Sequence, residues 1–465
     1  MRFGARASVD MTNGPILKKL IIYAIPIIIV NVTQTLFHAA DVAILGIFAS
    51  DIAVAAVGAT GALITLINSI FIGLSTGANV VMARNVGAKN LESSRKTVGT
   101  ATLTGVISGF LLMAVVLIFA KTFLLWMKCD ASVIDLSARY IRIYYAGMPI
   151  IMLYNFLAAT LRASGDSVHP MNFMLIAGVI NVPLNILFIV AFKLTVEGVA
   201  IATVLSQAVA LLLLLRVIMK DEEYCKITRE TLKIYKDELL LMIKIGVPSG
   251  LTGMFYYVAN VVVQSAVNTL GPDYMTANAI SGQFDAMIYT VGCAVATACM
   301  VFVGQNMGAG RIDRIKKVLL AAILAATAIS LLLGGTFVLL SDLLLGIMTD
   351  SEVIISYAKQ RMVLLCLTYF ITSIMEVFSF SLRSLGKVSD TVVVGFITGF
   401  LGRIAWVKFV WPLKKTLGTL YLVFPISAMV AIAMYIVAMI FALKGLEKKL
   451  KPEAEKVATL SESKS

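Results

Sequence analysis

Four polar residues share one face of the first long apolar stretch. Asn31, Gln34, His38 and Asp41 recur at spacings of three, four and three, which stacks their side chains on one side of a helix. A carboxylate at mid-bilayer depth costs on the order of 3 kcal/mol even on lenient scales, so Asp41 is the member of this stripe with the strongest claim to a function. Asn181 and Asn185 stand one turn apart on a later apolar stretch, and Thr203 and Tyr140 lie near the starts of two others. If successive stretches cross in opposite directions, counting depth along each brings these amides and hydroxyls level with Asp41. A carboxylate among amide and hydroxyl oxygens suits a desolvated proton or a weakly held Na⁺. For Asn31, Gln34 and His38, contact with a cavity or substrate and plain hydrogen bonding to neighbouring helices are equally good readings.

The elements that must hold these groups follow from composition. With 59% hydrophobic and 14% charged residues and a mean hydropathy of +0.93, the chain has too little polar surface to coat a globule and far more apolar surface than one core needs. The solvent of such a chain is the bilayer. Runs long enough to cross about 30 Å of hydrocarbon are expected near 20–45, 55–83, 98–120, 138–160, 171–192 and 198–219, and again near 241–268, 277–303, 318–340, 354–381, 391–411 and 419–443. The fold class is therefore all-α: a polytopic membrane protein with twelve transmembrane helices in two six-helix lobes.

The two halves repeat. Gly77-Ala-Asn-Val-Val-Met-Ala-Arg-Asn-Val-Gly-Ala-Lys89 aligns without a gap on Ala298-Cys-Met-Val-Phe-Val-Gly-Gln-Asn-Met-Gly-Ala-Gly310, an offset of about 221 residues of the kind left by internal duplication. Arg95-Lys96 then falls on Lys316-Lys317, Leu161-Arg162 on Leu382-Arg383 and Gly165 on Gly386, while Pro26 meets Pro248 one residue out of step. An even number of spans per half makes the repeat parallel, about an axis along the membrane normal, with a substrate path expected between the lobes.

Lysine and arginine set the orientation. With the amino terminus in the cytoplasm, Arg84, Lys89, Arg95 and Lys96, their repeats Arg311, Arg314, Lys316 and Lys317, and the basic linker and tail all fall on that side, as the positive-inside bias requires. The expected organisation is a lobe over 1–219, a cytoplasmic linker over 220–240, a second lobe over 241–443 and a basic cytoplasmic tail over 444–465. The opening stretch lacks a small-residue cleavage site, so the first span is expected to be retained.

In the second lobe Asp285 and Arg403 both fall at membrane depth. They are expected to neutralise each other as a structural charge pair. Glu376 is also at membrane depth and has no evident cationic partner, while Asn260, Gln264 and Asn268 form a stripe at spacings of four. Glu376, Asn260 and Gln264 are accordingly candidate substrate or cavity residues.

Other chemistries find little support. Gly304-Gln-Asn-Met-Gly-Ala-Gly310 lacks the Gly-Lys-Ser/Thr ending of a nucleotide-binding loop. His38 and His169 sit at opposite depths, and the five cysteines show no CxxC pair. The formal charge of +13 is spread over short loops with no basic patch interleaved with aromatics, against nucleic-acid binding. No enzyme activity and no cofactor are expected, only a coupling ion, H⁺ or Na⁺.

These features together resemble the multidrug and toxic compound extrusion (MATE) transporters over essentially the whole chain. The resemblance is carried by Asp41 in Asp-Val-Ala-Ile-Leu-Gly46, Val303-Gly-Gln-Asn-Met-Gly-Ala309 and the Leu-Arg-x-x-Gly turns at Arg162 and Arg383. It is strongest to the prokaryotic DinF-like branch, whose ion site on the first lobe implies roles for Asp41, Asn181 and Thr203. Asn185 departs from that pattern, standing where some members have a second aspartate. The resemblance implies a secondary active exporter of lipophilic, cationic small molecules in the prokaryotic inner membrane, coupled to H⁺ or Na⁺ through Asp41, monomeric and in contact with membrane lipid. A lipid-linked precursor flippase of the same superfamily is the alternative within transport; a membrane scaffold or receptor is the alternative outside it.

The orientation can be tested directly. Lys226→Cys in a background lacking the native cysteines should resist an impermeant thiol reagent in intact cells and react after permeabilisation. Labelling in intact cells would invert the topology.

Overall fold

The computed structural model describes residues 8–127 and 129–462, and every element among them is helical. The first seven residues of the amino-terminal lobe and residues 463–465 of the tail lie outside the described residues. The helices are α1 (Ile16–Phe48), α2 (Asp51–Gly87), α3 (Leu91–Trp126), α4 (Ile134–Ala146), α5 (Met148–Ala163), α6 (Val168–Ile186), α7 (Val196–Lys220), α8 (Lys236–Asn268), α9 (Pro272–Gly308), α10 (Ile312–Leu339), α11 (Ser341–Gly346), α12 (Glu352–Ser384), α13 (Val388–Val394), α14 (Gly402–Ala405), α15 (Leu417–Tyr421) and α16 (Val423–Glu462). Among the described residues, eleven helical stretches are long and apolar enough to cross a membrane, and α4 with α5 makes a twelfth when taken as one broken span.

That broken span answers to the one expected near 138–160. It bends by 50° at Gly147, which is followed by Pro149 in the first turn of α5. Proline brings no N–H to the ladder. Glycine is required at the bend because a Cβ there would sit 2.3 Å from Val204 Cγ2 of α7.

Helix faces are sorted by side-chain size. Helix α3 buries Gly105, Ser108, Gly109 and Leu112 while exposing Ile107, Phe110, Leu111 and Ile118. Small residues turned inward and large apolar ones outward suit a helix solvated by acyl chains, where association rests on close packing. Gly109 lies so near Pro149 that a Cβ would come within 2.4 Å of its Cα. The same device joins α2 to α8: a Cβ on Gly73 would lie 2.4 Å from Gly250 N, and one on Gly77 2.2 Å from Met242 O.

Two compact units emerge. Among the described residues, one comprises 8–9, Ile25–Val86 and 90–251; the other comprises Asp10–Ala24, Gly87–Lys89 and the chain from Thr252 to Glu462. The division falls within α1 just before Pro26 and within α8 three residues after Pro248, not in the linker over 220–240. Each unit thus takes the first turns of the helix that opens the other half.

Two spans are locally widened. Helix α6 contains Pro183 and passes into a π-helical turn, Leu187–Ala191. Helix α13 runs into π-helical Gly395–Leu401, and α14 is followed by π-helical Trp406–Val410. Such turns shift side-chain register at the cost of poorer backbone bonding, and they recur at functional sites.

Gly77→Val should therefore lower the folded yield sharply, because its side chain would overlap the α8 backbone, a rigid obstacle, where ordinary overpacking costs about 1–3 kcal/mol. Gly61→Val on the same helix, with nothing within 4 Å of its Cβ position, should be tolerated. Fluorescence-detected size exclusion of detergent extracts compares the two.

Candidate ion-coupling site

The first unit brings together three helices around Asp41, which is only 5% exposed. Asn185 on α6 donates from Nδ2 to Asp41 Oδ1 at 2.5 Å and to Asn181 Oδ1 at 3.1 Å. Asn181 in turn donates to Thr203 Oγ1 of α7 at 3.5 Å, and the Thr203 hydroxyl donates to Val199 O at 2.9 Å. The i, i+4 spacing of the two asparagines stacks them on one face of α6, so that Asn185 can reach both Asp41 and Asn181. Asn185 Oδ1 is buried without a hydrogen-bond partner. An unmet acceptor beside a carboxylate is costly, and it becomes a partner once the carboxyl carries a proton.

Tyr140 on α4 is buried and stacks on Tyr144 with ring centroids 6.2 Å apart. Tyr144 and Asn68, which accepts a hydrogen bond from Tyr145 at 3.0 Å, were not anticipated from the sequence. The bend at Gly147 sets the direction of α4, and that direction is not encoded in a hydropathy pattern.

Asn31, Gln34 and His38 are not drawn into this cluster. Gln34 and His38 are exposed and Asn31 half-buried, and among the described residues none of the three bonds to Asp41. No group of three metal-ligating His, Cys, Asp or Glu side chains occurs among the described residues.

The second unit corrects one expectation. Asp285 does not pair with Arg403. Its partner is Arg361 of α12, through Nη1 to Oδ1 at 2.5 Å and Nη2 to Oδ2 at 3.2 Å, with both side chains under 10% exposed. Tyr369 donates to Asp285 Oδ2 at 3.0 Å and Arg361 also reaches Ser281 Oγ at 3.3 Å. Depth counting had left Arg361 out because it falls near the start of its span; α12 begins at Glu352, which carries Arg361 more than two turns in. Arg403 meets Asn260 Oδ1 instead. Glu376, 6% exposed, accepts from the Tyr289 hydroxyl at 3.3 Å. Gln264 donates to Asn268 at 2.8 Å and accepts from Asn278 at 2.7 Å.

A duplicated bundle of membrane-spanning helices with buried polar clusters defines a polytopic membrane transporter, not an enzyme. The MatE family model matches this chain twice, over residues 26–187 and 248–405, and the chain belongs to that family. It is 27% identical over 390 residues to the "Probable multidrug resistance protein YoeA" of Bacillus subtilis (strain 168), covering 81% of this chain and 83% of the relative. It is 26% identical over 322 residues to the FAD transporter of Shewanella oneidensis, covering 67% and 70%. A solved outward-facing multidrug resistance MATE family transporter superposes with a TM-score of 0.87 at 22% identity, over 95% of this chain and 99% of that one.

The observed charge pair has a clear signature. Asp285→Ala or Arg361→Ala leaves one buried charge uncompensated, a loss of about 3–5 kcal/mol, and folded yield should fall. Asp285→Leu combined with Arg361→Met should recover much of it. Equal yields for the two single variants and the double would show that no pair exists.

Proposed function

We propose that this chain is a proton-coupled secondary exporter of lipophilic organic molecules, cations among them, in which Asp41 binds the proton. The observation that carries the proposal is the buried Asp41–Asn185–Asn181–Thr203 chain with its unmet acceptor at Asn185 Oδ1. In the ionised state Asp41 takes the Asn185 amide hydrogens. Once protonated, it can donate to Asn185 Oδ1 after rotation of the amide, so both charge states find a partner on one side chain. A single carboxylate among neutral groups favours a proton over Na⁺, which needs several oxygen ligands at once and gains from a second negative charge.

Coupling follows if the two access states surround Asp41 differently. An ion that binds both states equally shifts nothing. Opening to an acidic exterior loads the carboxylate; opening to the cytoplasm releases the proton and returns the charge. The proposal takes the amino and carboxyl termini as cytoplasmic, the membrane as the prokaryotic inner membrane and the working unit as a monomer. The names of the relatives span multidrug resistance and FAD, so the cargo class of this chain rests on its own residues. Glu376, buried beside Tyr289, supplies an acidic group suited to a cationic substrate.

In proteoliposomes, efflux of rhodamine 6G driven by an imposed pH gradient should be lost in Asp41→Asn, which preserves shape while fixing the charge at zero. Rhodamine 6G binding at equilibrium should survive. Driven efflux by well-folded Asp41→Asn would remove the coupling role from this residue, and efflux driven by a Na⁺ gradient with pH clamped would replace the proton with Na⁺.

A further inference from the structure

Arg403 is 7% exposed and lies within a membrane span, yet among the described residues no carboxylate comes within ion-pair distance of it. Its guanidinium rests on the ring of Phe424 at 4.7 Å and of Tyr256 at 5.3 Å. One hydrogen bond reaches Asn260 Oδ1, and Nε is buried without a partner. Two other buried arginine groups of the unit are differently placed: Arg361 is neutralised by Asp285, and Arg383 lies in the last turn of α12. A desolvated cation whose direct contacts are an amide and two ring faces, with the Glu376 carboxyl acting on it only from beyond ion-pair distance, has one unfilled requirement, an anion in contact.

Its surroundings supply an approach. Asn260 is exposed, as are Gln264 and Asn268 on the same face of α8. Three exposed amides along a membrane-spanning helix cannot be solvated by acyl chains, so this face meets water or cargo. Asn260 Oδ1 occupies the place an incoming oxygen would take. The span carrying Arg403 is also the one interrupted by π-helical turns on both sides.

The internal repeat places Arg403 at a meaningful position. Span by span, it sets the helix of Arg403 against that of Asn181 and Asn185, and α8 with Asn260 against α1 with Asp41. The first unit buries a carboxylate on this pair of helices, and the second buries a guanidinium.

We propose that Arg403, reached past Asn260, binds an oxyanion, carboxylate or phosphate, carried by an amphipathic organic substrate. The inference rests on the reading of the chain as an exporter of small molecules and narrows the chemistry of what it carries. Neither Glu376 nor Asp285 satisfies Arg403 directly, so the group that does must come from outside the unit.

The test is equilibrium binding to the purified full chain in neutral detergent, by fluorescence anisotropy, of rhodamine 19 and of its ethyl ester, rhodamine 6G. The two dyes differ only in the free carboxylate. Wild type should bind rhodamine 19 about tenfold or more tighter than the ester, the scale of one charge-assisted bidentate contact. Asn260→Asp places a counter-ion against Arg403 and should abolish that preference, the ratio of the two affinities, while thermal stability is kept. Arg403→Gln should abolish it too, but the aspartate variant keeps the test decisive if Arg403→Gln folds poorly. No preference in wild type, or an undiminished preference in Asn260→Asp, would overturn the proposal. Competition with rhodamine 19 by phosphatidylglycerol but not phosphatidylcholine would assign the oxyanion to a lipid headgroup and overturn the substrate reading. Because no gradient is involved, loss of proton coupling in Asp41→Asn leaves this result untouched.

Discussion

Hydrocarbon solvates no polar group, and nearly every informative feature of this chain is a response to that constraint. Helices satisfy the backbone internally, which is why helical secondary structure runs through the described chain. Side chains have no such automatic solution. Each amide, hydroxyl or charge at membrane depth must find a partner on another helix, and the partner must arrive at the right depth and on the right face. The Asp41 cluster and the Asp285–Arg361 pair are two complete answers. Arg403 is an incomplete one.

The two complete answers differ in kind. Asp285 and Arg361 cancel each other's charge through bidentate geometry, with the Tyr369 hydroxyl donating to the same carboxylate. Such a pair holds α9 against α12 without contributing charge to transport. Among the described residues no cation lies within ion-pair distance of Asp41, and its amide partner, Asn185, is neutral. The two carboxylates therefore differ in the charge of their partners, not in burial, which is nearly equal for the two.

How much of this was legible in the sequence depends on dimensionality. Depth is a one-dimensional quantity, and a hydropathy pattern with alternating span direction reports it well. The twelve-span architecture and the convergence of Asp41, Asn181, Asn185 and Thr203 could be read because all four share a depth and the asparagines share a helix face. Azimuth is not encoded in depth. Asp285 sees both Arg361 and Arg403 as basic residues inside spans of the same half, and only the packing of α12 on α9 decides between them. The direction of the bend at Gly147 turns on a neighbour, Val204, that no local pattern announces. The approach of Gly73 and Gly77 to α8 is of the same kind, since it depends on which face of α8 turns toward α2.

Duplication offers more than symmetry. A parallel repeat gives each half the same scaffold of spans, so a position on one scaffold constrains what its counterpart can reach. Where the first copy assembles a carboxylate and two amides, the second carries a guanidinium and one amide at the corresponding helices. Each copy thus meets the same demand for polar partners with a different set of side chains, because hydrocarbon imposes the demand and the scaffold fixes only which helices can answer it. On the function proposed above, that difference would leave one copy to bind the ion and the other to recognise the cargo.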